Sequence, residues 1–407
     1  MRDPDRGTDD LPPVDSPTDH AKVVSKLMKH SNTLTHVTPD DDSALHPGHF
    51  KRKTNKLPTP VWLDDSFEAS KGTSALTLPA QLAKEVHAFV AYTNAQVEAA
   101  QTTVQDNLTR LNACLEKQWP DTSCHATCFG SFASGLWLPT SDVDVVVHGI
   151  PSASPTGQYT TAQDVLAAML STEPWVRHAS VVGTKVMVVK VILKSCGRRM
   201  DIAVATSDTQ HGLAATEIVR AAVTSMPLLR PLVLVVKTFL REKGLNNAFT
   251  GGLSSYALVL LCLHYLFHRP HGPSSSCSWS SADDDDDDDE LSKVLLGFLE
   301  YYGTVYDHFR TGITWFVNPL GHLESVEYER KVRPGHAPKC HLVLDDPVHP
   351  DDRGVFNVGA GAYAMARVVL AFENAFYATT FHRASRFTPT PLSQLIHWTG
   401  PLSSSAV

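Results

Sequence analysis

The sequence has no apolar run long enough to span a bilayer. Its longest, "YALVLLCLHYLF" at 256–267, is interrupted by His264 and reads as a buried core helix. No charged-then-apolar leader opens it either, so no membrane association is expected. Cysteine is sparse and odd in number, with seven residues at 114, 124, 128, 196, 262, 277 and 340. That argues against a disulfide framework and for free thiols in a reducing compartment, with the nucleus expected first and the cytoplasm as the alternative. In "CHATC" (124–128) two cysteines flank a histidine, but no second ligand pair follows at zinc-site spacing. A basic surplus is missing too. The net charge is -8, and "DDDDDDDE" at 283–290 supplies eight negative charges by itself, leaving the remainder near neutral. A uniformly basic nucleic-acid coat is excluded, and any polyanion site must be a local groove. There is no internal repeat.

What is present is a chain of 407 residues, 43% hydrophobic and 19% charged, long enough for two or three globular domains. Residues 1–57 are rich in Asp, Pro, Thr and His without periodicity and are expected to be disordered. The basic cluster "HFKRKTNK" (49–56) within them reads as solvated linker charge, with a nuclear-import or RNA-touching patch as the alternative. Helical spacing of apolar residues predicts two helices, over 78–94 and 104–119, with Pro120 closing the second. "DVDVVVHG", "KVMVVKVILK" (185–194) and "MDIAVAT" (200–206) are then short, β-branched and bounded by turn residues, as strands are. "SCGRR" (195–199) makes the last two a hairpin. From about 212 the pattern is helical again, interrupted by a low-complexity acidic loop at 269–290. The expected fold is α+β. A small mixed β-sheet domain at 119–225 is set into a mainly helical domain made of 58–118 and 226–385, with a C-terminal tail at 386–407.

The chemistry concentrates in "GSFASGLWLPTSDVDVVV" (130–147). Residues i and i+2 of a strand share a face, so Asp142 and Asp144 project together while Val143 and Val145 face the core. Buried like charges repel and lose hydration unless something compensates them. A solvated D-x-D turn is the ordinary reading of such a pair, but here an apolar run buries it. Asp201, in "MDIAV", completes a set of three if its strand lies beside the first. Oxygen-only ligands suit Mg²⁺, and a two-metal site suits phosphoryl or nucleotidyl transfer. Gly130 can bring the backbone near a phosphate, and Ser131 adds a hydroxyl. Lys237 and Arg241 lie four apart on one helix face and can neutralise a triphosphate; their alternative is two snorkelling surface cations. "FTGGLSSYAL" (249–258) offers a Gly-Gly turn, hydroxyls and Tyr256 at a helix start, which taken alone is an ordinary N-cap with a core tyrosine.

The order of these motifs, Gly130-Ser131, "LPTSDVD", "MDIAV", "RPLVLVVKTFL", "FTGGLSSYALVL" and "LVLDDPVHPDDRGVFNVG" (342–359), resembles the non-canonical poly(A) polymerases of the DNA polymerase β-like nucleotidyltransferase superfamily. The resemblance runs from about 59 to about 382. It implies a palm-like nucleotidyltransferase domain at 119–225 and a helical central domain around it. It further implies Mg²⁺ or Mn²⁺ on Asp142, Asp144 and Asp201, the last at the metal that activates the primer hydroxyl. Gly130, Ser131, Lys237 and Arg241 would meet the nucleotide phosphates, with Arg241 standing where a lysine is commoner. Ser255 would bind triphosphate or sugar, and Tyr256 would stack on the base. Asp346 would lie near the base edge in a nucleotide recognition loop. Many uridine-adding members carry a histidine before an Asn-Val/Leu-Gly triplet; here Phe356 precedes Asn357-Val358-Gly359, in a loop that looks longer. The expected activity is therefore template-independent addition of adenylates from ATP to RNA 3′ ends. Uridylyl transfer, a catalytically silent scaffold binding RNA or a partner, and a small-molecule nucleotidyltransferase are the alternatives. With no RNA-recognition module in the sequence, a partner protein is expected to supply RNA binding.

Overall fold

The computed structural model describes residues 57–63, 77–151, 161–183, 187–269, 284–331, 339–350 and 352–399. The N-terminal segment with its basic cluster, and most of the low-complexity stretch, therefore lie outside the described residues.

The first element is a single helix, α1 (Leu78–Gln118), where apolar spacing predicts two. Residues 95–101, "AQVEAAQ", are good helix formers with no breaker among them. The apparent gap arises because the two halves serve different cores. Leu82, Val86 and Phe89 pack into a large helical core. Val104, Leu111 and Leu115 pack beneath a β-sheet. Helix α1 thus ties the two layers together. Thr77 caps it, its side chain accepting from Ala80 N at 3.3 Å.

The sheet follows. Strand β1 (His125–Phe129) leads into the one-turn helix α2 (Gly130–Ala133) and then β2 (Val143–His148). Helix α3 (Ala162–Ser171) begins at a reciprocal Thr161/Asp164 capping box. Strands β3 (Val176–Val182), β4 (Val188–Leu193) and β5 (Arg199–Val204) complete a five-stranded sheet of order β1-β2-β5-β4-β3. The expected β4–β5 hairpin is present, closed by Leu193 N donating to Arg198 O. β2 pairs with β5 in parallel and with β1 antiparallel, so the sheet is mixed.

Helices α4 (Ser207–Ser225), α5 (Leu229–Glu242) and α6 (Ser255–His268) come next. Helix α7 (Asp284–Glu300) runs into a π-helical turn at Tyr301–Val305. Its bounds take in most of the acidic run assigned above to a loop. A two-stranded sheet of β6 (Thr311–Val317) and β7 (Leu323–Glu329), then α8 (Met365–Thr380), finish the helical layer. The segment expected as a tail is docked on that layer. Leu392, Leu395 and Ile396 are buried in its core, and Leu392 N donates to the buried Glu85 Oε2 at 2.9 Å. No single described helix is long and apolar enough to cross a membrane; the bent pair α4–α5 passes by length and composition only, and α5 is buried in the core.

Candidate active site

Register places the carboxylates. Asp144 on β2 is the direct partner of Asp201 on β5, and Lys190 on β4 is the partner of Asp201. Phe129, Asp144, Asp201 and Lys190 therefore form one rung across four strands, their side chains on one face. Asp142 sits just before β2, two residues from Asp144, and faces Arg199, which is two residues from Asp201. The sequence puts three carboxylates and two cations on one patch of sheet.

The five charges are not equivalent. Lys190 Nζ grips both oxygens of Asp201 at 2.9 and 2.6 Å. Arg199 Nε donates to Asp142 Oδ1 at 2.9 Å. The Asp144 carboxylate accepts no hydrogen bond among the described residues. Burial and the neighbouring Asp201 push its pKa up to about 6, against a smaller opposing pull from Lys237. A half-buried carboxylate beside a second carboxylate, left without its own counter-ion, is the environment a hard divalent cation relieves. The donor set therefore fits Mg²⁺ or Mn²⁺. As they stand, no three carboxylate, imidazole or thiol groups among the described residues close on a common point, because Lys190 and Arg199 hold two of the three.

Gly130 has a packing task besides the phosphate approach its sequence context suggests. Its amide donates to Thr216 Oγ1 at 2.9 Å. Its φ is +64°, and a Cβ there would come within 2.5 Å of Asp144 Oδ2. Only glycine leaves that carboxylate its place.

Asp142, Asp144 and Arg199 border a cavity of about 470 Å³, a size suited to a nucleotide, whereas Asp201 and Lys190 are not among its lining residues. Ser131, Asp142, Asp144, Lys237, Arg241, Ser255 and Tyr256 line it, as does Gly130. Lys237 is buried among apolar residues of α5, its Nζ donating to Leu136 O at 3.1 Å. Desolvation lowers its pKa to about 8 despite the nearby Asp144. Arg241, one turn on, is pulled down by burial and by Arg199, which also lines the cavity. Three cations line one cavity against their own repulsion, which is the arrangement an anionic ligand stabilises. On α6 the two hydroxyls divide the work. Ser254 caps the helix by accepting from Ala257 N, and Ser255 faces the cavity.

Asp346 and Phe356 do not line the cavity. Asp346 is 4% exposed, and both its oxygens are engaged. Oδ1 accepts from Tyr256 OH and Val348 N, each at 3.0 Å, and Oδ2 lies 2.7 Å from His211 Nε2. Phe356 stacks on His349 at 4.2 Å, and His349 stacks on His211 at 5.4 Å. His211, on α4, is the member of that column that borders the cavity. Sequence reasoning missed Arg199, Lys190, Thr216 and His211. The one local signal was that of Arg199, which lies two residues before Asp201 and so on the same face of its strand.

Residues 82–221 match the family model described as the central palm domain of mitochondrial-like poly(A) RNA polymerase. The matched residues take in the whole five-stranded sheet and most of helices α1 and α4. Curated proteins that the chain resembles carry the name poly(A) RNA polymerase. One, poly(A) RNA polymerase protein 1 of Eremothecium gossypii, is 29% identical over 74% of this chain and 44% of its own length. Poly(A) RNA polymerase cid14 of Schizosaccharomyces pombe is 32% identical over 66% of this chain and 36% of its own. The chain thus spans less than half the length of these relatives. Among solved structures, the polymerase core of TRAMP, an RNA surveillance complex, superposes with a TM-score of 0.63 at 24% identity, covering 82% of this chain and 99% of that one. The palm likeness agrees with the fold expected above, a small mixed sheet set in a helical body.

Proposed function

We propose that the protein is a template-independent RNA nucleotidyltransferase that adds adenylates from ATP to RNA 3′ ends. The observation that carries this reading is the pairing of Asp144 with Asp201 on adjacent strands, with Asp144 and Asp142 lining a nucleotide-sized cavity that Lys237, Arg241 and Arg199 also line. The oxygen of a primer 3′-hydroxyl attacks the α-phosphorus of ATP, the bond to pyrophosphate breaks, and the hydroxyl proton is lost. Mg²⁺ or Mn²⁺ held by Asp142, Asp144 and Asp201 would acidify that hydroxyl and offset the charge developing on the phosphates. Lys237, Arg241 and Arg199 supply the fixed positive charge for the triphosphate, and Ser131 and Ser255 supply hydroxyls. Tyr256, pinned through its OH to Asp346, offers its ring to the base. Catalysis on this reading is mostly positioning and charge neutralisation.

RNA 3′ ends are the acceptor we infer, with an RNA-binding partner protein; the likeness to the core of an RNA surveillance complex supports both. A reducing compartment, nucleus or cytoplasm, suits the thiols described as free. The test is to supply all four nucleoside triphosphates to the purified protein with a short RNA and sequence the extended 3′ ends. Tails dominated by adenylate support the reading, and tails dominated by uridylate would replace ATP with UTP in it. RNA affinity of the isolated chain should be weak and fall steeply with salt, because it rests on a few phosphate contacts.

A further inference from the structure

We propose that His211 selects the incoming base, accepting a hydrogen bond through Nδ1 from an exocyclic amino group. The inference rests on the nucleotidyl-transfer reading above and concerns the same cavity.

His211 lies early in α4 and borders the cavity, with its side chain 37% exposed. Its Nε2 is 2.7 Å from Asp346 Oδ2. A carboxylate only accepts, so Nε2 carries the proton of that bond. In the neutral ring the other nitrogen is then an acceptor, because a hydrogen bond at one imidazole nitrogen fixes the role of the other. Nδ1 has no partner among the described residues. The ring cannot easily turn away. His349 covers one face at 5.4 Å with planes 18° apart, and Phe356 backs His349 at 4.2 Å.

The same carboxylate holds Tyr256. Its Oδ1 takes the tyrosine OH while Oδ2 takes His211, so the two side chains converge on one residue from different helices. Both border the cavity. A base resting on the Tyr256 ring would bring its edge toward the His211 ring. An acceptor at that edge matches the amino group at position 6 of adenine or position 4 of cytosine. It opposes the carbonyls of guanine and uracil at the same positions. Asp346 thus acts through His211 and Tyr256 rather than on the base, which accounts for a buried carboxylate with both oxygens engaged.

The full-length chain tests this directly. Steady-state addition to an RNA primer would be compared for ATP, purine riboside triphosphate, which lacks the amino group, and inosine triphosphate, which carries a carbonyl there. One hydrogen bond corresponds to a preference for ATP over the purine analogue of about threefold to tenfold in kcat/KM. His211→Phe should erase that preference, and His211→Gln, whose amide oxygen still accepts, should keep part of it. A merely structural role would lower the rate on all three triphosphates together. Equilibrium titration of the same nucleotides should give the same ranking without turnover. An unchanged ratio in His211→Phe, or wild-type protein that favours inosine triphosphate, would overturn the assignment. Failure of the wild-type protein to extend with any triphosphate would instead overturn the transfer reading.

Discussion

Gly130 lies against Asp144 so closely that a methyl group on the glycine would come within 2.5 Å of the carboxylate oxygen Oδ2. The contact is the local reason for a glycine at the start of α2. Gly130→Ala must both adopt a left-handed φ near +64° and push the carboxylate aside. The backbone cost is about 1–2 kcal/mol, readable as a shift in the urea midpoint. Displacing one ligand by about an ångström should cost on the order of a hundredfold in nucleotide addition. An alanine variant of normal rate would show that the Asp144 position is not used.

Asp144 should itself oppose stability. Its folded pKa of about 6 stands above the ordinary carboxylate value, so the folded state binds more protons than the unfolded one between about pH 4 and 6. The penalty is fully present above pH 6 and is relieved as the pH falls through that window. Asp144→Asn, measured in EDTA at pH 7.5, should therefore stabilise the chain by roughly 1–3 kcal/mol while abolishing transfer. A destabilised Asn variant would contradict the electrostatic account of this pair.

Lys237 gives a pH dependence of nucleotide binding. Desolvation lowers its pKa to about 8, so it is charged below that pH and neutral above it. Affinity for a non-hydrolysable ATP analogue should weaken as the pH rises past 8, by up to about tenfold per unit. Lys237→Met should bind weakly and show a flatter profile. The stability of the free chain runs the other way. Between about pH 8 and 10.5 the unfolded lysine holds a proton that the folded one lacks, so this group adds stability as the pH rises. Parallel pH profiles for wild type and Lys237→Met would remove the phosphate role.

Asp201→Ala should abolish transfer with the fold intact, since the residue it leaves unpaired, Lys190, is 40% exposed and can reach solvent. Asp142→Asn should be similarly silent, and the double variant with Asp144→Asn no worse than either alone, because the three act as a unit. Circular dichroism would check the fold, and a gel assay the transfer. Retained transfer in a well-folded Asp201→Ala protein would remove it from the metal set.

The carboxylates were legible in the sequence because strand periodicity is local: "DVD" and "MDIAV" declare their faces within a few residues. Lys237 and Arg241 were legible for the same reason on a helix. The column Phe356–His349–His211 was not. His211 and Asp346 are 135 residues apart, and nothing in "DTQHGLAATE" marks the histidine until α4 and the 342–359 loop meet. The loop motif drew attention to Phe356, whose ring the fold backs onto His349 rather than onto the cavity. The single long helix α1 escaped notice because its halves face two cores, which breaks the apolar stripe without breaking the helix. The docking of residues 392–396 depends on Glu85, more than 300 residues away, a contact no local pattern could announce.

The central claim is that the Asp142–Asp144–Asp201 patch transfers adenylate to an RNA 3′-hydroxyl. The most direct measurement is single-turnover extension of a labelled RNA by the purified chain with ATP and Mg²⁺ or Mn²⁺, with pyrophosphate release followed in the same reaction. The account predicts one pyrophosphate released per adenylate added, no extension of a primer ending in a 3′-deoxynucleotide, and no reaction with Asp144→Asn. Extension by Asp144→Asn at the wild-type rate would contradict it, as would pyrophosphate release uncoupled from RNA extension.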